Sequence, residues 1–325
     1  MHPELFEIPF LNVTVKSYGL MMVIGFLAAV ALIRRLSRSF TPDPQLITNA
    51  ALYALIGGVV GARLFFVIHY FEQFRGDALS VFAIWKGGLE LLGGVLLAIA
   101  IIFAYLMYHK LPIRRYLDAL AVGLMLALVF GRIGCLLNGC CYGKPADLPW
   151  AVRFPYNSFA YRSQVSPDAL RNRSEPHLKL PDDYLVYHAD GTASPKPFDE
   201  LTPAQKYAVT EGPYRCLPVH PTQIYCSLNA LLMCLMLYLF RRRSLKADFA
   251  DGRTGFLTKP GQTFALMFIL YGVARFLLEL LRDDNPYEFD ALTVSQNIGI
   301  ALVVLGIIFM LVFEKMKRYR VPPLK

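Results

Sequence analysis

The sequence predicts an all-α polytopic membrane protein of about seven transmembrane helices, on three observations. The chain of 325 residues is 55% hydrophobic and only 18% charged, with a mean hydropathy of +0.42; soluble domains carry about 25% charged residues. Seven apolar runs reach the roughly 20 residues that cross about 30 Å of hydrocarbon. Lysine and arginine gather on alternate connections between those runs, as they do on the cytoplasmic side of membrane proteins. The net charge of +9 therefore belongs to span ends, and no nucleic-acid partner is expected.

In chain order, the start has Glu4 and Glu7 and no basic cluster before the first run, so no cleavable signal is expected. The spans are placed at residues 18–36, 46–70, 88–108, 116–137, 222–240, 262–281 and 292–313. Arg34, Arg35 and Arg38 follow the first, and Lys110, Arg114 and Arg115 the third. Arg241, Arg242, Arg243, Lys246, Arg253 and Lys259 follow the fifth, and Lys315, Lys317, Arg318, Arg320 and Lys325 the seventh. The short opposite segments hold only Lys16, Arg75, Lys86 and Arg282 near the spans. The expected topology is N-terminus outside and C-terminus cytoplasmic.

The chain divides into residues 1–143 (four spans), 144–219, and 220–325 (three spans and a basic tail). The middle part has 11 of the 21 prolines, a density that opposes long helices or a central sheet. It is expected to be a loop-rich exoplasmic cap, with Trp150, Phe154, Tyr156, Phe159 and Tyr161 suited to the membrane interface. The competing reading is an insertion with no part in chemistry. Gly57 and Gly61, four apart, read as helix packing.

The candidate chemistry centres on GRIGCLLNGCCYG, residues 131–143. Arg132 stands at or near the end of the fourth span, where an arginine costs roughly 2.5–3.5 kcal/mol on the lenient insertion scale. Two readings fit. The guanidinium, freed backbone amides and Asn138 form a cradle for a phosphate, or Arg132 sets topology and the glycines pack helices. Arg63 lies within the second span. Arg275 and Glu279, four apart in YGVARFLLELLRDDN, share a helix face. Glu279 either neutralises Arg275 or holds its fork for an anion. Several arginines with one acid favour an anionic ligand. At HPTQIYC, residues 220–226, Pro221 suits a helix first turn. His220 there reads locally as an interfacial anchor, with Gln223 and Tyr225 entering the bundle.

These stretches resemble the prolipoprotein diacylglyceryl transferase family. The Arg132 stretch is similar to its G-R-x-G-N-F-x-N-x-E-x-x-G run, with Gly131, Arg132, Gly134, Asn138 and Gly143 in register. HPTQIY resembles its HP[ST]Q[LI]YE, and Tyr271, Gly272, Arg275, Phe276, Glu279 and Arg282 match its YGxxRFxxExxR. Tyr18 and Gly19 match its first helix, Gly61 and Arg63 its second, and IWKGGLELLGG its Gly-rich third. Cys135, Cys140 and Cys226 stand where the family has Asn, Glu and Glu. Leu92 stands where it has His or Tyr, and leucine cannot accept a proton. Tyr18, His69, Tyr142 and Tyr225 are the other candidates for the base, with Glu90 a poor one.

The resemblance implies a multi-pass protein of a bacterial inner membrane with its active site toward the exoplasmic side. Its partners would be phosphatidylglycerol, prolipoprotein signal peptides and the bilayer. The implied reaction moves diacylglyceryl onto the lipobox cysteine, leaving a thioether and releasing glycerol phosphate, without cofactor or metal. Arg132 and Arg275 would bind the phosphate, and Glu279 would orient Arg275. Tyr18, Arg63, Asn138, Gly143, His220, Gln223 and Tyr225 would bind substrate. The rival is a relative that binds anionic lipid or lipopeptide without transfer; a small-anion transporter is disfavoured because no repeated halves are seen. Of the six cysteines, Cys234 reads as core. A metal site with His220 lacks a supporting C-x-x-C pair. A disulfide from Cys140 or Cys141 to Cys216 would staple the cap to the helix end, with free buried thiols as the alternative.

Overall fold

The computed structural model describes residues 4–8, 13–75, 78–83, 87–188, 193–249, 257–288 and 292–316. Trp85, Lys86, Arg253 and the basic tail beyond residue 316 lie outside them. The chain opens with a β1–β2 hairpin (Glu4–Ile8, Val13–Lys16). Helices α1 (Ser17–Ser37), α2 (Gln45–His69), α3 (Leu91–Tyr108) and α4 (Ile113–Asn138) follow. After an inserted segment come α7 (Thr222–Phe249), α8 (Gln262–Glu279) and α9 (Val294–Lys315). Among the described residues these seven are long and apolar enough to cross a membrane. The protein is a mostly helical, multi-pass membrane protein.

Two span starts move inward from their sequence placement. Gly87 and Gly88 take φ of 85° and 77°, a left-handed turn that ends before α3 begins at Leu91. Thr293 caps α9 in a box with Gln296, so that helix begins at Val294 rather than at residue 292. The spans are not strictly all-α in their connections: three two-stranded ribbons occur among the described residues.

Helix α4 is the axis. It packs on α1 and α7, and α8 pairs with α9, while α2 and α3 form a second pair. That pair is close-set because glycines face each other: a Cβ at Gly61 would stand 2.5 Å from the Gly93 carbonyl oxygen. The packing reading of Gly61 is thus how the α2–α3 contact forms. The central core joins Ile33, Leu106, Tyr116, Val122, Met233 and Leu237. Outward faces stay apolar and exposed, as at Leu27, Ile68, Leu231 and Leu311, where lipid rather than water is the solvent.

The insert between α4 and α7 is organised. It holds α5 (Phe159–Val165), a β3–β4 hairpin (Leu185–Tyr187, Ala193–Pro195) and α6 (Pro203–Thr210). Its own core forms around Tyr142, Phe154, Tyr161 and Val219, with a second cluster at Tyr184, Leu201 and Val209. The remaining ribbon, β5–β6 (Tyr287–Glu288, Leu292–Thr293), joins α8 to α9.

Candidate active site

Three segments far apart in sequence are tied together where α4 ends. Gly139 closes α4 in the left-handed conformation (φ 77°), which turns the chain back under the helix. The loop that follows is clamped from both sides. Thr222 Oγ1 donates to the Cys141 carbonyl and Gln223 Nε2 to the Cys140 carbonyl, both at 2.7 Å. Gly143 N–H donates to His220 O at 3.2 Å, and Lys144 N–H to Leu281 O at 2.8 Å. A Cβ at residue 143 would lie 2.6 Å from His220 Cβ and 2.7 Å from His220 O; glycine is what permits this crossing.

The arginines converge at this junction. Arg132 and Arg275 line one narrow cavity with Cys226, Asn229 and Tyr271. Arg275 Nη1 is 3.2 Å from Glu279 Oε2, and its Nη2 donates to Ser295 Oγ. Glu279 is buried and accepts from Thr293 Oγ1 at 3.1 Å and from Asn285 Nδ2. Its fixed carboxylate orients the Arg275 fork. Arg282 grips Asp284 through two bonds of 2.8 and 2.6 Å and sits 3.8 Å from Glu279. Arg132 differs: no carboxylate or hydroxyl among the described residues pairs with it. A half-buried guanidinium without an acid has donors free for an anion.

The other sequence candidates fall at different places. Tyr18, 40% exposed, packs across the helix at Gly134 and is an electrostatic neighbour of Arg132 and of Cys135, Cys140 and Cys141. His220 Nδ1 lies 3.5 Å from Tyr225 Oη, and Trp150 Nε1 donates to the same hydroxyl at 2.7 Å. Gln223 is buried and serves the loop rather than the rim. Asn138 lines a separate cleft with Pro155, Asn157 and Arg162. Arg63 is not brought to the cluster: its guanidinium donates to the carbonyls of Ser80, Val81, Gly87 and Gly88 at 2.6–3.0 Å. It holds the α2–α3 connection. Leu92 is 58% exposed on α3, and Glu90 pairs with His69 at 3.4 Å.

All six cysteines are free thiols, so the staple to Cys216 does not form. Cys216 instead donates to Gln164 Oε1 inside the insert at 3.4 Å, and burial pushes its thiol up to about 11. Cys140 and Cys141 turn toward Cys135, the three sulfurs lying within 4.8 Å of one another. Hydrogen bonds from Cys135 and Cys140 hold the Cys141 thiol below its usual range, and Arg282 and Arg132 add to this. From sequence Arg282 was only a motif match without a role, and the sulfur cluster was not singled out. The acids following Arg282, and the helix-breaking glycine between Cys135 and the Cys140–Cys141 pair, were the available signals. A cavity of about 710 Å³ is an apolar groove of α1, α4 and α7 lined by residues such as Leu32, Val122 and Leu231, away from this chemistry.

Fold and site together define a polytopic helical membrane protein with a cationic site at one end of its bundle. A sequence profile described as prolipoprotein diacylglyceryl transferase matches residues 3–312. The chain belongs to that family. Similar proteins include phosphatidylglycerol–prolipoprotein diacylglyceryl transferases of Clostridium tetani, 27% identical over 94% of this chain and 96% of that protein, and of Methylococcus capsulatus, 29% identical over 90% and 88%. The Rhodopirellula baltica protein of the same name is 26% identical over 91% of this chain and 72% of its own length.

Proposed function

We propose that this protein transfers the diacylglyceryl group of phosphatidylglycerol to the thiol of a prolipoprotein lipobox cysteine. The observation that carries the reading is Arg132, without an acid partner among the described residues, lining one cavity with Arg275. The reaction forms a C–S bond at a glycerol carbon while the C–O bond to phosphate breaks, and charge grows on the departing phosphate. Preorganised guanidiniums stabilise that charge far better than water does. Arg132 and Arg275 take the phosphate, and Glu279 positions Arg275. Gly143 and Gln223 hold the loop beside them, Asn138 and Tyr18 border it, and His220 with Tyr225 forms the rim. Arg63 supports the reading indirectly, by fixing the α2–α3 connection.

The loop bias of lysine and arginine supports an N-terminus outside and a cytoplasmic C-terminus. The insert and the site then face the exoplasmic side of a bacterial inner membrane, where signal peptides emerge. The family and its named relatives favour transfer over mere lipid binding. The test is complementation of a transferase-depleted strain, with thioether formation on a labelled prolipoprotein as the readout. Growth with diacylglyceryl product is the expected result. A membrane-inserted protein that yields no thioether with several prolipoproteins refutes the reading.

A further inference from the structure

We propose that Cys135, Cys140 and Cys141 hold a Zn²⁺ ion whose fourth position takes the substrate's cysteine thiol; this rests on the transferase reading above. The three sulfurs already lie within 4.8 Å of one another. With Zn–S bonds of about 2.3 Å, sulfurs in a tetrahedral site stand about 3.8 Å apart, so small side-chain rotations suffice. The backbone is shaped to bring them together. Gly139 reverses the chain after α4, and Cys141 itself takes φ 59°, a conformation unfavourable for a non-glycine residue that clusters at ligand clamps. Thr222 and Gln223 hold the carbonyls of Cys141 and Cys140, as second-layer groups hold metal ligands. His220, the histidine considered from sequence, is not in the group.

Charge points the same way. Zn²⁺ with three thiolates carries one net negative charge, and two with the substrate thiolate. Arg132 lies one turn before Cys135 on α4, and both Arg132 and Arg282 are electrostatic neighbours of Cys141. Arg282 also holds Asp284, whereas Arg132 has no acid partner among the described residues and is a cation that such an anion would balance. Three protein ligands with one open position are the arrangement of catalytic zinc rather than structural zinc.

The chemistry fills the gap left at Leu92. Zinc-bound thiols lose their proton outright. The lipobox S–H would release its proton to water as it binds. Its sulfur electron pair then forms the C–S bond as the glycerol C–O bond breaks, and that bond's electrons leave on the phosphate oxygen held by the arginines. No electrons are gained or lost overall, and zinc is redox-inert. A general base is not required.

The test uses the full chain in detergent under reducing conditions. Elemental analysis should find one zinc per chain in the native protein and in Cys234→Ser, and none retained in Cys141→Ser or in Cys135→Asn, which carries the family's residue. After exchange of zinc for Co²⁺, the thiolate-to-cobalt absorption should grow by about one third when a single-cysteine lipobox peptide raises three sulfur ligands to four, and not with its serine analogue. Zinc retention no greater than in Cys141→Ser overturns the proposal. So does an absorption that the cysteine peptide leaves unchanged, selective retention of Cu⁺ instead, or equal transfer by zinc-free and zinc-loaded chains. A loaded chain that ligates the peptide thiol but forms no thioether upholds the zinc site and refutes the transferase reading.

Discussion

The two ends of α4 both bury arginine, and they use it in opposite ways. At the start of the helix, Arg115 and Asp118 are fully enclosed. The Asp118 carboxylate accepts backbone N–H groups from Gly261 at 2.9 Å, Thr263 at 3.0 Å and Phe264 at 3.3 Å. It thereby caps α8, whose own N-cap residue Gly261 has no side chain to offer. Arg115 Nη1 donates to Ser244 Oγ at 2.9 Å and lies 3.7 Å from Asp118. Arg241 Nη2 donates to Leu36 O and Ser39 Oγ at 2.8 and 2.7 Å. Every one of these charges is answered from within the chain. At the other end Arg132 has no such partner among the described residues, and its neighbour Arg275 shares a single buried acid. One end is a clasp and the other is the proposed receptor, so an intramembrane arginine is not by itself a functional mark; a missing partner is what sets Arg132 apart.

The sharpest way to break this comparison is at Asp118. Removing one partner of a buried charge network leaves the rest uncompensated, at about 3–5 kcal/mol. Asp118→Ala should lower the thermal midpoint of the detergent-solubilised protein by the largest margin of any single change considered. Transfer per folded molecule should stay normal. A specific activity that collapses along with stability would show that the clasp is not separate from the receptor.

Arg132→Ala is the reciprocal experiment. Loss of one preorganised charge-stabilising group typically reduces turnover by about 10²–10³-fold. The thermal midpoint should hold, because no internal pairing is removed. Folding measured beside thioether yield checks both halves. Unchanged turnover would remove Arg132 from phosphate binding.

Gly143→Ala tests the junction between them. The added methyl would press on His220 Cβ at 2.6 Å and His220 O at 2.7 Å, an overpacking of about 1–3 kcal/mol. Both should fall, the midpoint by less than in Asp118→Ala and transfer by less than in Arg132→Ala. A variant that loses neither would show that the crossing can relax.

Sequence reading reached the span number because apolar length is a property of the run itself, independent of neighbours. It reached Arg132, Arg275 and Glu279 because charge inside an apolar run stands out. Asp118 was invisible in its role, although it too is a charge in an apolar helix, because its partners are backbone amides more than 140 residues away. Arg63 shows the converse: its position was legible, yet four carbonyls of the α2–α3 connection decide what it does. Gln223 was expected to enter the bundle and bind substrate; that its amide clamps the Cys140 carbonyl depends on a loop more than 80 residues away. The sulfur cluster needed a left-handed turn at Gly139 that no spacing rule reports, since cysteines five and six apart do not share a helix face.

Leu92→His carries the smallest expected effect and tests the receptor end most selectively. The resemblance places a His or Tyr of the family at this position; in this chain Leu92 is 58% exposed on α3, beside Gly93 and its contact with α2. An exposed substitution away from special features changes free energy by about 0.5 kcal/mol or less, roughly twofold in a rate. Transfer by Leu92→His should therefore stay within about twofold of the native rate, since the reacting thiol is activated at the end of α4 and not from α3. Initial rates with a lipobox peptide in phosphatidylglycerol micelles decide it. A rise well beyond that range would mean that deprotonation limits the native enzyme and that α3 faces the same reaction space. The receptor would then extend across the α2–α3 pair, and the contrast drawn along α4 would describe only half of the site.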